Sequence, residues 1–178
     1  MASIYNVQNW DSSNASTGWK KDDIVKKASD GTYWYAKKDH TNSGQPDMGS
    51  LYWDGNISVT VDGSAQTKPY FFWKPSYNLQ TTHQPKVVEL SYGDGYTQRL
   101  KNGINNDMLT LSLSFDNRSE RESAAIFHFF KHLEGYKHFY FLAPAPYSII
   151  KKFVCSQWNG TMVFKDNHTV TATLIETA

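Results

Sequence analysis

The clearest pattern in the chain is the strict alternation of apolar and polar residues in MLTLSLSF, at positions 108–115. Because successive side chains of a strand point to opposite faces, its leucines and phenylalanine share one face and its hydroxyl residues the other. Similar runs flank it on both sides: VVELSY, YTQRL, HFYFLAP, IIKKFVCSQW and HTVTATLIET. The C-terminal part is therefore predicted to contain one sheet or two packed sheets of about seven strands.

One segment interrupts these strands with a helical period. Asn117 is suited to cap a helix N-terminus, with Glu120 three residues later, and Gly135 is suited to end it. The apolar stripe consists of Ile126, Phe127, Phe130 and Leu133. A helix over about residues 118–134 is predicted, and one this short needs to bury its stripe against a sheet.

The N-terminal part, from about Tyr5 to Val61, shows short strand patterns and no helical period: DDIVKKA, GTYWYAKK and LYWDGNISVTV. The segment 62–69 is polar and poor in apolar residues, which is typical of a linker. The prediction is a mainly β chain with a small β module at 1–61, a linker at 62–69 and a second domain at 70–178.

Two dipeptides predict tight turns. In YGDGYTQRL, at 92–100, the residues after Gly95 continue a strand pattern, whereas a phosphate-binding glycine loop leads into a helix. Asp94-Gly95 is therefore predicted to turn a hairpin. Asn159-Gly160 is predicted to turn another, between Trp158 and Thr161.

Composition narrows the possible functions. The formal net charge of the 178 residues is +1, which argues against a general nucleic-acid binder. The single cysteine, Cys155, excludes an internal disulfide and is expected to be a buried apolar residue. The first residues show no export signal, and no apolar run is long enough to span a membrane, so synthesis in a cytoplasm is expected.

Few residues are candidates for catalysis or metal binding. His128 and His132 lie one helical turn apart and could share a metal ion, but Phe129 stands where a metalloprotease has glutamate, and no third ligand is evident. A helix flank in solvent or at a subunit contact is the simpler interpretation. Carboxylates for glycoside hydrolysis are available at Asp22-Asp23, Glu89 and Asp94 without a pattern that pairs them. The chain is predicted not to be an enzyme, with no catalytic residue, metal or cofactor.

The run from Pro85 to Arg99, PKVVELSYGDGYTQR, with Phe72-Trp73-Lys-Pro75 upstream, resembles the minor tail protein M family of lambda-like long-tailed bacteriophages. Further segments agree in order, over about residues 70–177: the alternating strand, the acid-rich helix, Gly135 to Pro144, Lys152 to Trp158 and Thr171 to Glu176. The resemblance implies a tail-tube-like β-sandwich with one flanking helix.

The resemblance also implies a function. Such a protein forms a homo-oligomeric ring, commonly sixfold, that joins the tail tube to the tail-tip hub and the host-recognition tip. It is made and assembled in the host bacterial cytoplasm and ends in the virion tail. The residues predicted to contact neighbouring subunits are Tyr92, Asp94, Tyr96, Phe139 and Phe141. The alternative is that both segments only pack the domain.

The N-terminal module resembles small carbohydrate-binding modules of the chitin-binding type in Trp19 to Val25, Gly31 to Ala36, and Pro46 followed by Trp53. Exposed aromatic faces bind sugar rings by stacking. The candidate glycan contacts are Trp19, Tyr33, Trp34, Tyr35 and Trp53, with Trp10 and Tyr52 as further rings. The alternative is that so small a module needs these rings for its own core. A free carbohydrate-binding protein and, less favoured, a glycan-cleaving enzyme are the alternative functions.

Overall fold

A computed structural model gives the fold and describes residues 7–12, 17–42, 44–77 and 79–178. The predicted start of the first module, near Tyr5, lies outside these ranges. The described N-terminal residues form a four-stranded sheet in the order β1-β2-β3-β4. Its strands are β1 (Gln8–Asn9), β2 (Ile24–Lys26), β3 (Tyr33–Ala36) and β4 (Trp53–Asp54).

The rest of the chain contains nine further strands and one α-helix among the described residues. They are β5 (Asn56–Val61), β6 (Ser64–Phe71), β7 (Gln80–His83), β8 (Val87–Ser91), β9 (Thr97–Lys101), β10 (Leu109–Arg118), α1 (Glu120–Leu133), β11 (Phe139–Leu142), β12 (Ile150–Phe164) and β13 (Asn167–Glu176). Seven of them form one sheet in the order β5-β6-β11-β12-β13-β10-β7, while β8 and β9 pair only with each other. The mainly β, sandwich-like fold with one flanking helix is confirmed.

The core lies between the seven-stranded sheet and α1. The alternating leucines of β10 and Phe115 are buried, as the period of two predicts. They meet Ile126, Phe130 and Leu133 of the helix in one cluster. The predicted stripe is therefore correct for these three residues, whereas Phe127 is only half-buried. Phe129, outside the predicted stripe, is also buried, because its ring packs against Phe71 and Phe139 as well as Tyr35 of the N-terminal sheet.

The helix begins two residues later than predicted, and its cap is a different residue. Ser119 is the N-cap, and its hydroxyl accepts a hydrogen bond from the backbone N–H of Glu122 at 3.3 Å. Asn117 instead lies in β10 with a φ of 56°. The helix ends as expected near Gly135, because Glu134 and Gly135 both adopt the left-handed conformation that closes a helix C-terminus.

The predicted linker is wrong. Residues 62–69 form the turn and most of the second strand of the β5–β6 hairpin, and β6 continues into the seven-stranded sheet by pairing in parallel with β11. From Asn56 to Tyr70 the described side chains of the two strands are exposed or only partly buried, and Phe71 alone is buried, so this hairpin does not need the apolar alternation on which a sequence-based prediction depends.

The predicted turn at Asn159-Gly160 is also wrong, because β12 runs through both residues without interruption. The hairpin turns at residues 165–166, where Asp166 adopts the positive φ of 58°. Gly160 has a different role, since a Cβ atom there would overlap the ring of Phe127. The glycine allows the helix to approach the strand closely.

Replacing Gly160 with alanine should therefore destabilise the protein. The added methyl group would displace the Phe127 ring, and overpacking of this kind costs about 1 to 3 kcal/mol of unfolding free energy. Thermal unfolding measures the loss. Gly93→Ala is the matched control, because nothing lies within 4 Å of its ideal Cβ position. Equal melting temperatures for the two variants would contradict the close approach.

Candidate functional site

The most unusual surface of the protein is the β8–β9 hairpin, which we call the arm (residues 87–101). Every residue of both strands is exposed. The strands pair from Val87 opposite Lys101 to Ser91 opposite Thr97. A single turn of 3-10 helix, Gly93–Gly95, joins them, with Asp94 at a φ of 69°. The sequence-based prediction of a hairpin here is thus correct.

The arm has two chemically different faces. Strand alternation places five polar residues and Val87 on one face, which we call the polar face: Val87, Glu89, Ser91, Thr97, Arg99 and Lys101. Glu89 and Arg99 form an ion pair there at 3.6 Å. The opposite face carries the larger apolar groups: Val88, Leu90, Tyr92, Tyr96 and Leu100. An isolated two-stranded hairpin is at best marginally stable in water, and this one leaves its apolar face uncovered.

The base of the arm is held firmly. The backbone N–H of Lys86 donates to the carbonyl of Asn106 at 2.8 Å, and that of Asn102 donates to the carbonyl of Lys86 at 3.1 Å. Beside them, His83 contacts the Asp107 carboxylate through Nδ1 at 3.1 Å and the Tyr147 hydroxyl through Nε2 at 2.6 Å. The exposed arm therefore starts from a fixed position at one end of the seven-stranded sheet.

The predicted subunit contacts divide into two groups. Tyr92, Asp94 and Tyr96 lie exposed at the end of the arm, and the two tyrosine rings are 5.8 Å apart. Phe139 and Phe141 are buried in the core, where both contact Phe71. The phenylalanines support the sheet and offer no surface to another subunit. The sequence analysis does not predict Val88, Leu90 and Leu100 as subunit contacts. The alternation in VVELSY and YTQRL nevertheless places them on the same face as the tyrosines.

A second notable feature is the junction between the N-terminal sheet and the C-terminal domain. Tyr35 of β3 is 1% exposed and belongs to the main core, where its ring lies 4.9 Å from that of Trp73. The Trp73 indole N–H donates to the carboxylate of Asp22 at 3.2 Å. Arg121 of α1 pairs with Asp23 at 2.6 Å. The two predicted modules therefore share a buried interface.

The predicted glycan contacts are mostly core residues. Trp19, Trp34 and Trp53 are buried in a separate small cluster, which Trp10 and Tyr52 partly cover. Tyr35 points into the main core. Tyr33 alone of the five is partly exposed, at the wall of a cavity of about 120 Å³ with Asn56 and His132. Four of the five residues therefore fit the alternative, in which the aromatic rings fill a hydrophobic core. Glycan contact stays a prediction.

His128 and His132 lie on the same side of α1, beneath Tyr33. The ring of Tyr33 is 4.7 Å from that of His128 and 4.4 Å from that of His132. The Tyr35 hydroxyl lies 3.0 Å from Nδ1 of His128, to which it donates when the proton of the neutral imidazole is on Nε2. Among the described residues, no group of three or more His, Cys, Asp or Glu could hold a metal ion. The two histidines therefore lie at the junction between α1 and the N-terminal sheet.

Burial lowers the pKa of His128 to about 4, and repulsion from His132 and Lys131 acts in the same direction. Burial also lowers the pKa of His132. The positive charges of Lys137 and Lys26 lower it further, whereas the negative charge of Glu134 raises it. The folded state therefore prefers both imidazoles neutral.

The protein should accordingly lose stability in acid. Between the ordinary histidine value of 6.5 and the folded His128 value of about 4, the unfolded chain binds the extra proton and the folded chain does not. The unfolding free energy should fall as the pH falls through this window, by on the order of 3 kcal/mol for His128. Urea unfolding at several pH values measures it, and His128→Asn should make the unfolding free energy depend less on pH; an unchanged pH dependence in this variant would contradict the prediction.

The other candidate reactive groups do not converge. Asp22 and Asp23 lie at the junction, where burial raises the Asp22 pKa, whereas Glu89 and Asp94 lie on the arm. Cys155 is buried, burial raises its pKa to about 12, and its thiol donates to the carbonyl of Gln157. Within the described ranges, no helix is long and apolar enough to cross a bilayer.

Comparison with known proteins adds the decisive observation. Residues 69–178, which include the arm, α1 and five of the seven strands of the large sheet, match the family model described as phage minor tail protein. The chain belongs to the phage minor tail protein family. Its sequence is also 29% identical over 90 residues to tail tip protein M of Escherichia phage lambda, which covers 51% of this chain and 81% of that protein. The resemblance inferred from sequence motifs is thus confirmed.

One solved structure is similar over most of the chain. It is described as the tail of an empty GTA particle, computed with helical refinement and C6 symmetry. The two chains are 10% identical, with a TM-score of 0.44, and the similarity covers 68% of this chain and 89% of the other. Membership of the minor tail protein family makes this chain a structural protein of the virion tail.

The family match begins at residue 69, inside β6. The N-terminal sheet and β5 therefore precede the matched region, yet Tyr35 packs within the core of that region. In this minor tail protein, residues outside the family match complete the hydrophobic core.

Proposed function

We propose that this minor tail protein forms a closed ring of identical copies, six in number, at the distal end of the tail tube. There it joins the tube to the hub proteins of the tail tip. The observation that carries the proposal is the arm: an amphipathic hairpin with its apolar face uncovered and backbone hydrogen bonds at its base.

The exposed apolar face of the arm needs a partner that covers it. Soluble monomers seldom leave contiguous apolar surface exposed unless it serves a contact. The arm residues Val88, Leu90 and Leu100 have exposed fractions of 39 to 44%, and the tyrosines at its end have larger ones. Copies of one chain with a net charge of +1 repel each other little, so many copies can lie side by side.

The proposal places the N-terminal sheet on the periphery, where it braces α1. Contact with host surface glycans would then depend on Tyr33 among the predicted rings, because it alone of the five keeps part of its ring accessible. Retention of the full-length protein on isolated host envelopes, compared with the Tyr33→Ala variant, tests that contact. Equal retention, or none, would leave the module with a bracing role only.

The ring itself is tested by the mass of the purified full-length protein, alone and mixed with its tail tube protein. Native mass spectrometry should show a complex of six copies, or a complex with the tube. A protein that stays monomeric at every concentration, and that is absent from assembled tails, would contradict the proposal.

A further inference from the structure

A second exposed apolar surface lies at the tip of the β12–β13 hairpin. Met162, Val163 and Phe164 have exposed fractions of 71%, 65% and 73%, and they precede the turn at Lys165 and Asp166. A register shift between Met162 and Phe164 inserts Val163 as an extra residue in the strand. Apolar side chains therefore cover both sides of this tip.

The arm and this tip lie at opposite ends of the sheet. Leu109, at the start of β10, pairs with His83 near the base of the arm, whereas Arg118, at its end, pairs with His168 beside the tip. The ten residues of β10 span about 33 Å, at roughly 3.3 Å per residue. Since both apolar surfaces are exposed in the one chain, they do not cover each other within it.

The end of the arm and the β12–β13 tip each carry a charged residue beside their apolar groups, and these two charges are opposite. Asp94 stands at the end of the arm between two tyrosines, and Lys165 stands at the tip beside Phe164. The neighbouring Asp166 is already engaged, because its carboxylate accepts a hydrogen bond from the backbone N–H of Glu120 at 2.8 Å. Neither Asp94 nor Lys165 has an ion-pair partner in the described part of the chain.

We propose that the apolar face of the arm packs against the β12–β13 tip of a second copy of this chain, with Asp94 paired to Lys165 across the interface. The inference rests on the proposed ring and names the contact that builds it. Two different surfaces are joined, so each added copy leaves one arm and one tip free until the ring closes.

Cysteine cross-linking tests which surfaces meet. The native Cys155 is buried and its thiol stays protonated near neutral pH, so it does not compete. Leu90→Cys combined with Val163→Cys in the full-length protein should form disulfides between chains, visible as a ladder that ends at the ring size. Glu89→Cys with Val163→Cys is the matched control, because Glu89 is the adjacent residue on the opposite face of the arm.

A charge exchange gives a second readout. Asp94→Lys and Lys165→Asp should each weaken assembly, by about tenfold if the pair contributes 1.4 kcal/mol. The chain with both substitutions should recover most of the assembly, because the opposite charges then face each other in reversed positions. Asp94→Asn keeps a residue that tolerates positive φ and removes only the charge, so it separates the ion pair from the geometry of the turn.

The outcomes distinguish this contact from the ring itself. Rings that form but cross-link equally from Leu90 and Glu89, or only through Leu90 to Leu90, would overturn the arm-to-tip contact and leave the ring standing. Cross-linking of Leu90→Cys to a different tail protein instead of a second copy would also overturn it. A failure to assemble by the unmodified protein would overturn both.

Discussion

Replacing Tyr35 with alanine should lower the free energy of unfolding by about 4 kcal/mol, as expected when a fully buried aromatic ring is removed from a core. The change empties the space between Trp73 and Phe129 and leaves Nδ1 of His128 without its hydroxyl partner. Because Tyr35 lies outside the family match, so large a loss would show that residues before position 69 are part of the folded core.

Two further variants locate the origin of that loss. Tyr35→Phe keeps the ring and removes only the hydroxyl, so it should cost about 1 to 3 kcal/mol, the penalty for an unsatisfied buried polar atom. Tyr77→Ala removes a fully exposed tyrosine and should change stability by less than about 0.5 kcal/mol. Chemical denaturation measures all three, and similar losses for Tyr35→Ala and Tyr77→Ala would contradict a shared core.

Replacing Val88 with lysine should abolish assembly without unfolding the protein. Val88 lies on the apolar face of the arm, and burial of a valine contributes about 1.5 to 3 kcal/mol. The loss of that contact together with the burial of a charge should weaken association by at least about 100-fold. The thermal unfolding of the monomer should stay nearly unchanged, because the arm packs on no part of the core.

Val87→Lys is the matched control for this prediction. Val87 is the adjacent residue of the same type, it is also exposed, and it lies on the polar face of the arm. Sedimentation velocity should show oligomers for Val87→Lys and monomers for Val88→Lys. Equal behaviour of the two variants would mean that the face of the arm does not matter for assembly.

Much of the C-terminal domain could be predicted because its pattern follows burial directly. Strand β10 alternates strictly since one face meets α1 and the other does not, and the GDG hairpin lies between two alternating runs. The predicted linker failed for the opposite reason. The β5–β6 hairpin lies at the edge of the sheet, where its strands need few apolar residues, so composition alone suggests a loop.

The aromatic residues of the N-terminal sheet show a different limit. Tyr33, Trp34 and Tyr35 are consecutive in β3, so they point alternately to its two faces. Trp34 enters the small cluster of the N-terminal sheet and Tyr35 enters the main core. A run of three rings in a strand indicates that both faces are covered, but only the tertiary structure shows that α1 covers one of them.

The arm was identified from the sequence only in part. The turn residues Tyr92, Asp94 and Tyr96 stand out as a motif, whereas Val88, Leu90 and Leu100 resemble the apolar residues of any half-buried strand. Their significance depends on an absence of neighbours, which the fold shows and the pattern does not.

The most direct measurement is an averaged electron-microscopic reconstruction of intact tails that contain this protein. We expect a closed ring of identical copies at the distal end of the tube, in which the arm of each copy lies against its neighbour. A single copy at the tip, or a ring whose arms remain surrounded by solvent, would contradict it.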